Sequence, residues 1–205
     1  MKVAILIDGS FFSKKFYHRN KKHPNPNDVK KLIDTALADP TLKDSILFRA
    51  YYYDCYPYNE SAKHPITKQK IDYSDTNVFK ARQNYLRKIA LMPNIALRSG
   101  RLSFSGWKIP PRHFNKLVRG CCLSSDMVEV NLDQKQVDMK IGLDIAWISS
   151  KRIVDKLVLF TGDSDFVPAM KFARREGVMV YLAHLGHGVK AVLKEHCDGI
   201  VEVDY

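Results

Sequence analysis

The chain has 205 residues, of which 45% are hydrophobic and 27% are charged, a composition typical of one folded domain in the α/β size class. Its apolar runs are too short to cross a bilayer, and the first strand-like segment leaves no room for a signal peptide. The four cysteines, Cys55, Cys121, Cys122 and Cys197, have no CxxC spacing. We therefore expect a cytoplasmic protein without a zinc site, a disulfide framework or a membrane partner.

The positive charge is concentrated in one quarter of the chain. Lysine and arginine number 33 against 22 aspartate and glutamate residues, which gives a formal net charge of +11. The basic segment, residues 76–125, contains ten basic residues and no acidic residue. Such a one-sided distribution favours a surface that binds a polyanion, and nucleic acid is the expected partner.

Short apolar strands alternate with helical patterns along the chain. The first strand, 3–7, is a continuous apolar run that ends at Asp8, as is typical of a buried parallel strand. Residues 56–75 lack periodicity and are predicted to form a long loop or insertion, and His184 and His187 are predicted to lie in a loop. The other predicted elements, in chain order, are a helix from the cap Asn25 to Ala38, strand 46–53, helix 78–91, strands 95–104 and 127–130, helix 134–149, strand 157–160, helix 166–176, strand 178–182, helix 189–196 and strand 200–203. This alternation predicts an α/β fold with a mainly parallel central sheet covered by helices on both faces.

Four aspartates are predicted to meet at one edge of this sheet. Asp8 directly follows the first strand, Asp163 and Asp165 follow strand 157–160, and Asp138 lies in the first turn of helix 134–149. Ligands of such sheets bind beyond the carboxyl ends of the strands, where the strand order switches. Clustered carboxylates repel one another unless a cation lies between them. The pattern therefore predicts a site for Mg²⁺ or Mn²⁺ that activates water for phosphodiester hydrolysis.

Each of these residues also has a simpler structural interpretation. Asp8 could be a turn former, Ser164 or Asp165 could cap the helix that follows, and the helix dipole favours Asp138 at a helix start. Asp144 lies about 240° around the helix from Asp138 and does not share its face. It is therefore a second-tier candidate.

Four segments also resemble a known family when they are taken together. They are VAILIDGS at 3–10, RSGRL at 98–102, QKQVDMKIGLD at 134–144 and TGDSDFVP at 161–168. In order and spacing they resemble the NYN domain, the LabA-like branch of the PIN-like nuclease superfamily. The resemblance implies a three-layer PIN-like (Rossmann-like) fold in which residues 1–205 form one domain, and a ribonuclease that depends on Mg²⁺ or Mn²⁺. It also implies an acidic cluster of Asp8, Asp138, Asp163 and Asp165, with Asp144 as a further acidic match.

The sequence departs from the family pattern just after the first aspartate. Family members usually place an asparagine there, whereas Ser10 is followed by Phe11 and Phe12 in this chain. Ser10 or Ser13 is the candidate substitute for orienting water or substrate. The departure keeps open a second hypothesis, an RNA-binding adaptor of the same fold that is catalytically weak or inactive. A haloacid-dehalogenase-like phosphatase is disfavoured, because that class needs an acid where this chain has Ser10.

Basic and aromatic residues are interleaved between residues 98 and 119, and a second basic cluster follows the Asp8 strand. Cations bind phosphates, and exposed aromatic rings stack on unpaired bases, so single-stranded RNA is the preferred partner. The alternative is that the aromatic rings cover the core and the basic residues lie in solvated loops. The pattern favours neither a monomer nor a dimer. The residues predicted to bind nucleic acid are Lys14, Lys15, Arg19, Arg98, Arg101, Trp107, Lys108, Arg112, Lys116 and Arg119.

Overall fold

The computed structural model describes residues 1–186 and 188–205, so the loop prediction for His187 lies outside the described residues. The described chain is built of strands, α-helices and short 3₁₀ turns. In chain order the strands and α-helices are β1 (Lys2–Asp8), α1 (Gly9–Asn20), α2 (Pro26–Leu37), β2 (Ile46–Cys55), β3 (Ser61–Lys63), β4 (Lys70–Asp72), α3 (Asn77–Ala90), β5 (Ile95–Lys108), α4 (Phe114–Val118), β6 (Glu129–Lys135), α5 (Val137–Ser150), β7 (Lys156–Phe160), α6 (Val167–Arg175), β8 (Met179–Ala183), α7 (Ala191–Glu195) and β9 (Gly199–Ile200).

Seven of the strands form one sheet in the order β6-β5-β2-β1-β7-β8-β9. Neighbouring strands are parallel throughout, except that β5 and β6 are antiparallel. The chain extends from β1 outward through β2 to β5 and later continues on the other side of β1 with β7. The strand order therefore reverses between β1 and β7, which is where sheets of this kind bind ligands.

Helices cover both faces of the sheet, and β1 lies between the two cores. Val3, Ile5 and Ile7 pack with buried residues of α1, α2 and α3, whereas Ala4 and Leu6 pack with those of α5, α6 and α7. All five side chains are completely buried. Because side chains alternate along a strand, a run of five apolar residues is the pattern that supplies both cores at once. The predicted α/β fold with a mainly parallel, helix-covered sheet is confirmed.

The first helix, α1, is absent from the sequence prediction. It begins directly after Asp8, and its buried face consists of Phe12 and Phe16, whose rings lie one turn apart at 5.6 Å between centroids. Phe11 and Tyr17 lie outside this face among polar and basic residues, so the periodicity of the helix is weak. Lys14, Lys15 and Arg19 of the second basic cluster therefore lie on a helix, and the interpretation of these three as part of a surface loop is wrong.

Residues 56–75 form an insertion with its own hairpin, β3–β4, rather than an irregular loop. The hairpin strands have three residues each, which is too short for a periodic pattern to show. The insertion rests on β5, because Tyr58 stacks on Phe104 at 6.2 Å and His64 meets the edge of Trp107 at 4.9 Å between ring centroids. Trp107 is thus partly buried against the insertion.

Several element boundaries differ from the sequence prediction. Strand β5 continues four residues beyond the predicted end, and β6 lies at Glu129–Lys135 instead of 127–130. Helix α5 begins at Val137 rather than at 134 because Gln136 adopts a left-handed φ of 75°. Ile145 of α5 is completely buried and packs in the core. The short helix α4 has no counterpart in the prediction.

None of the helices in the described residues is long and apolar enough to span a membrane.

Gly100 lies where β5 passes the start of α5. An added Cβ would lie 2.5 Å from the carbonyl oxygen of Lys135 and 2.7 Å from Cγ2 of Val137. We expect Gly100→Ala to lower the free energy of unfolding by about 1–3 kcal/mol, measured by urea denaturation. The control is Gly142→Ala, because Gly142 lies within α5 and its added Cβ would meet no atom within 4 Å. This control should raise stability by up to about 1 kcal/mol, and equal midpoints for the two variants would contradict the tight crossing at Gly100.

Candidate active site

A pocket of about 620 Å³ opens at the carboxyl ends of β1 and β7, the point at which the strand order reverses. Asp8 lines it from the end of β1, Asp163 from the segment after β7, and Asp138 from the first turn of α5. Three of the four aspartates predicted from the sequence thus share one pocket, although 155 positions separate the first from the last in the chain. The fourth, Asp165, does not line it.

Asp8 combines a structural and an electrostatic role. Its Oδ1 accepts hydrogen bonds from the N–H groups of Ser10 at 2.9 Å and Phe11 at 3.0 Å, so it caps α1. Burial raises the pKa of Asp8 from its ordinary value of 3.8 to about 6, against the opposing effect of these two N–H groups. The negative charges of Asp138 and Asp54 raise this pKa further. The Asp8 carboxylate therefore caps α1 and is at the same time a poorly solvated charge.

Asp163 is fixed by hydrogen bonds on both sides of its backbone turn. Its N–H donates to Oγ1 of the completely buried Thr161 at 3.0 Å, and its own Oδ1 accepts the N–H of Asp165 at 3.0 Å. Asp163 therefore caps the 3₁₀ turn Ser164–Phe166 that precedes α6, and neither Ser164 nor Asp165 caps that helix. Burial and the charges of Asp163 and Asp165 together raise the pKa of Asp138. Asp165 thus influences the pocket through its charge without lining it.

The four aspartates of the predicted cluster form no ion pair with any described residue. Asp144 differs from them in this respect. One of its oxygens lies 3.0 Å from Nη2 of Arg98, and the other accepts the hydroxyl of Tyr53 at 2.9 Å. Asp144 does not line the pocket, so the structure separates this second-tier candidate from the acidic cluster.

The donor atoms of the pocket suit a hard divalent cation. They are carboxylate oxygens, which Mg²⁺ and Mn²⁺ prefer, and their unbalanced charge is what a cation would neutralise. Among the described residues no three acidic, histidine or cysteine side chains are already arranged as a complete metal-binding cluster. The chemistry of the donors therefore fits such an ion, whereas tight coordination requires the carboxylates to move closer together.

A fifth acid, Asp54, lies beneath the pocket and was missed by the sequence analysis. It is the penultimate residue of β2, is only 4% exposed, and forms an ion pair with Arg82 of α3. Its Oδ2 lies 2.8 Å from where a Cβ of Gly9 would be, so it packs closely against the start of α1. Burial raises the pKa of Asp54, and Arg82 opposes that shift. The signal was available, because Asp54 directly follows a predicted parallel strand just as Asp8 does.

The candidate serines are distributed unevenly around the site. Ser10 lines the pocket, whereas the hydroxyl of Ser13 is buried without a hydrogen-bond partner in the described structure. Ser164 accepts a hydrogen bond from Nζ of Lys190 at 3.0 Å and does not line the pocket. Ser10 is therefore the serine placed where it can contact a bound substrate.

The basic residues of α1 form the cationic side of the pocket. Lys14 and Lys15 both line it, together with His18. Arg19 points elsewhere, since it forms an ion pair with Asp204 at 2.7 Å and lies over the ring of Tyr205. Acidic and basic groups thus line the same pocket, as a phosphate-binding site with a cation would require.

The basic segment is divided between paired and unpaired cations. Arg98 is bound to Asp144, and Arg112 forms an ion pair with Glu129. The other cations of this segment that were predicted to bind nucleic acid form no ion pair with any described residue. These are Arg101 and Lys108 on β5, Lys116 on α4, and Arg119 just after α4. Phe114 is 51% exposed, so it does not cover the core.

Replacement of Asp8 by asparagine should stabilise the metal-free protein. The asparagine Oδ1 can still cap α1, while the buried charge is lost. Because the pKa of Asp8 is raised to about 6 in the folded state, the folded protein holds this proton more tightly than the unfolded chain does. The stability of the wild type should therefore fall as the pH rises from about 4 to about 6, and stay lower above that range.

The gain from Asp8→Asn should accordingly grow across this interval to about 3 kcal/mol at pH 7. Urea denaturation in EDTA at pH 4 and pH 7 measures it. A variant that is less stable than the wild type at pH 7 would contradict the buried, uncompensated charge.

The fold and the acidic pocket define an α/β protein whose polar site lies at the strand-order switch. A family model described as the NYN domain matches residues 108–204, the half that contains Asp138, Asp163 and Asp165. NYN domains belong to the PIN-like nuclease superfamily. The resemblance to the NYN domain is thus supported for this part of the chain, and the helix-covered parallel sheet is consistent with a PIN-like fold.

Comparison with solved structures supports the fold as a whole. The crystal structure of a protein of unknown function from Vibrio parahaemolyticus is similar with a TM-score of 0.53 and 16% sequence identity, over 99% of this chain and 93% of that chain. A pyrazinamidase/nicotinamidase from Streptococcus mutans gives a TM-score of 0.33 and 14% sequence identity, over 96% of this chain and 91% of that chain. This similarity is too weak to indicate a shared fold. No curated protein matches the sequence.

Proposed function

We propose that the protein is a ribonuclease that depends on Mg²⁺ or Mn²⁺ and hydrolyses phosphodiester bonds of single-stranded RNA. The observation that carries this proposal is the convergence of Asp8, Asp138 and Asp163 on one pocket, where none of the three forms an ion pair with a described residue. A structural ion pair within the described chain therefore does not explain their placement. The match to a nuclease-related family supports the same class of reaction.

We propose that residues 1–205 together form one NYN domain of the LabA-like branch. The matched range begins at residue 108, so it omits β1 and Asp8. Strand β1 nevertheless pairs with β7 inside the same sheet, and Asp8 lines the same pocket as Asp163. The unmatched half therefore supplies a necessary part of the proposed site.

In this function Asp8, Asp138 and Asp163 would hold the metal ion, and Asp165 would add negative charge nearby. When bound, such an ion supplies an activated water and neutralises charge that develops on the phosphodiester. The N–H groups of Ser10 and Phe11 keep the Asp8 carboxylate oriented.

The α1 side of the pocket holds the substrate in this proposal. Lys14 and Lys15 bind the phosphate next to the scissile bond, because they line the same pocket as the aspartates. The hydroxyl of Ser10 can orient the substrate where family members use an asparagine. Single-stranded RNA is favoured over a duplex, since the unpaired cations occur beside exposed aromatic rings that stack on unpaired bases.

Cleavage of a labelled single-stranded RNA tests the proposal directly. The purified protein should cut the RNA with Mn²⁺ or Mg²⁺, stop cutting in EDTA, and resume when the ion is restored in excess. A duplex of the same sequence should be cut more slowly. Cutting that continues undiminished in EDTA, or no cutting with either ion, would contradict the proposed function.

A second function, an RNA-binding adaptor with an inactive pocket, is favoured by one observation. Phe11 lines the pocket in the stretch where family members place an asparagine, so an apolar ring replaces a polar group. An adaptor should bind RNA with the same affinity in Mg²⁺ and in EDTA and should leave it intact. A metal-dependent nuclease should bind its substrate more tightly with the ion.

A further inference from the structure

A second cleft, of about 250 Å³, lies between the insertion, α3 and β5. Its walls are aromatic, and its rim carries side chains with amide and guanidinium groups. The residues that give it this character are Tyr56, Tyr58, Asn59, Phe79, Gln83 and Arg101. The cleft is thus separate from the acidic pocket and no carboxylate of the described chain lines it.

Packing within the insertion fixes the aromatic wall of this cleft. Tyr58 is 9% exposed and lies between two other rings. It stacks on Phe104 with an interplanar angle of 23° and meets Tyr73 edge-on at 5.6 Å between centroids. The contact of His64 with Trp107 anchors the hairpin a few residues further on. The cleft is therefore largely preformed.

The polar side chains on the rim are available to a ligand. Asn59, Gln83 and Arg101 are exposed, and within the described structure no hydrogen bond or ion pair involves their side chains. Tyr56 is 41% exposed and offers a free ring face. A nucleobase presents a flat π-face together with an edge of amide-like donors and acceptors, which is what this combination recognises. The volume lies just below the range of about 300–1,000 Å³ for small-molecule pockets, so it suits one base.

The cleft and the acidic pocket share a wall made of two strands. In the β5–β6 register Leu102 lies opposite Gln134, and Leu102 lines the cleft while Gln134 lines the acidic pocket. Paired strands are about 5 Å apart. The close crossing of Gly100 and Lys135 keeps this wall thin, because an added Cβ at Gly100 would lie 2.5 Å from the carbonyl oxygen of Lys135.

We propose that this cleft binds one unpaired base of the RNA strand whose backbone crosses the acidic pocket. The inference rests on the proposed function for its ligand. A strand that places a phosphate beside Lys14 and Lys15 can pass over the β5–β6 edge and insert a neighbouring base between the aromatic walls. The cleft then determines which nucleotide flanks the cut, and it excludes a base that is paired in a duplex.

The test measures binding without cleavage. Fluorescence anisotropy in EDTA gives the dissociation constant of a 5′-fluorescein-labelled single-stranded RNA and of a series of the same RNA with one abasic nucleotide at each position. Tyr56→Ala/Gln83→Ala should bind the intact RNA at least about fivefold more weakly, the equivalent of about 1 kcal/mol for one lost stacked base. One abasic position should weaken wild-type binding and have no effect on the variant.

The matched control is Asn84→Ala, at an exposed residue of α3 that does not line the cleft. It should leave the affinity for RNA within about twofold of wild type. A cleft variant that binds like wild type, or that retains the wild-type abasic profile, would overturn the base-binding inference even if the protein cleaves RNA. Conversely, a protein that shows the predicted effect of one abasic position but never cleaves RNA would support base binding in the cleft and contradict the proposed nuclease activity.

Discussion

The double variant Asp8→Asn/Asp163→Asn is expected to cleave single-stranded RNA at least about 1,000-fold more slowly than the wild-type protein. The two substitutions remove the carboxylates that line the pocket from the ends of β1 and β7. A bound ion contributes several kcal/mol to stabilising charge in the transition state, and about 4 kcal/mol corresponds to this factor. Initial rates with labelled RNA and excess Mn²⁺ measure the effect.

The matched control for this loss is Asp144→Asn. Asp144 lies on the same helix as Asp138, but it binds Tyr53 and Arg98 instead of lining the pocket. The Asp144→Asn variant should cleave RNA at a rate within about tenfold of wild type, because Asp144 contacts none of the proposed reacting groups. Circular dichroism verifies that the variant is folded. Comparable losses in the double variant and in Asp144→Asn would contradict the assignment of the site.

The substitution Arg82→Met is expected to lower the free energy of unfolding by about 3 kcal/mol. Asp54 is buried, and Arg82 is the described cation that pairs with it. Removing one partner of a buried pair leaves an uncompensated charge, which costs about 3–5 kcal/mol. The lower end applies because the Arg82 side chain is 31% exposed and water reaches it. Urea denaturation at pH 7 measures the difference.

A second substitution distinguishes the lost ion pair from lost packing. In Arg82→Met/Asp54→Asn the uncompensated charge is gone, so most of the stability should return. The pair also lies beneath the start of α1, so the single variant should weaken cleavage as well as folding. A single variant that unfolds at the wild-type midpoint, or a double variant that is less stable still, would show that the pair does not stabilise the site.

The sheet and the acidic cluster could be predicted from the sequence because both follow from patterns within short stretches of the chain. A continuous apolar run such as residues 3–7 is typical of a parallel strand that is buried on both faces of the sheet. The polar residue that follows such a strand lies at the edge of the sheet formed by the carboxyl ends of the strands. This rule placed Asp8 and Asp163 correctly at neighbouring strand ends. The same rule, applied to the second predicted strand, selects Asp54.

Other features depend on contacts that no local pattern reveals. Helix α1 is recognisable mainly from Phe12 and Phe16, since its other residues mix aromatic, polar and basic side chains. The pairing of Arg98 with Asp144 joins residues 46 positions apart and removes both from the candidates for binding RNA and metal. Net charge alone therefore overestimates the number of cations in the basic segment that are free to bind a phosphate.

Anomalous diffraction from crystals grown with Mn²⁺ tests the central claim most directly. We expect one strong Mn²⁺ peak bounded by the carboxylates of Asp8, Asp138 and Asp163, and we expect it to disappear in Asp8→Asn/Asp163→Asn. An empty pocket at millimolar Mn²⁺, or a peak that persists in the double variant, would contradict a metal-dependent nuclease centred on these aspartates.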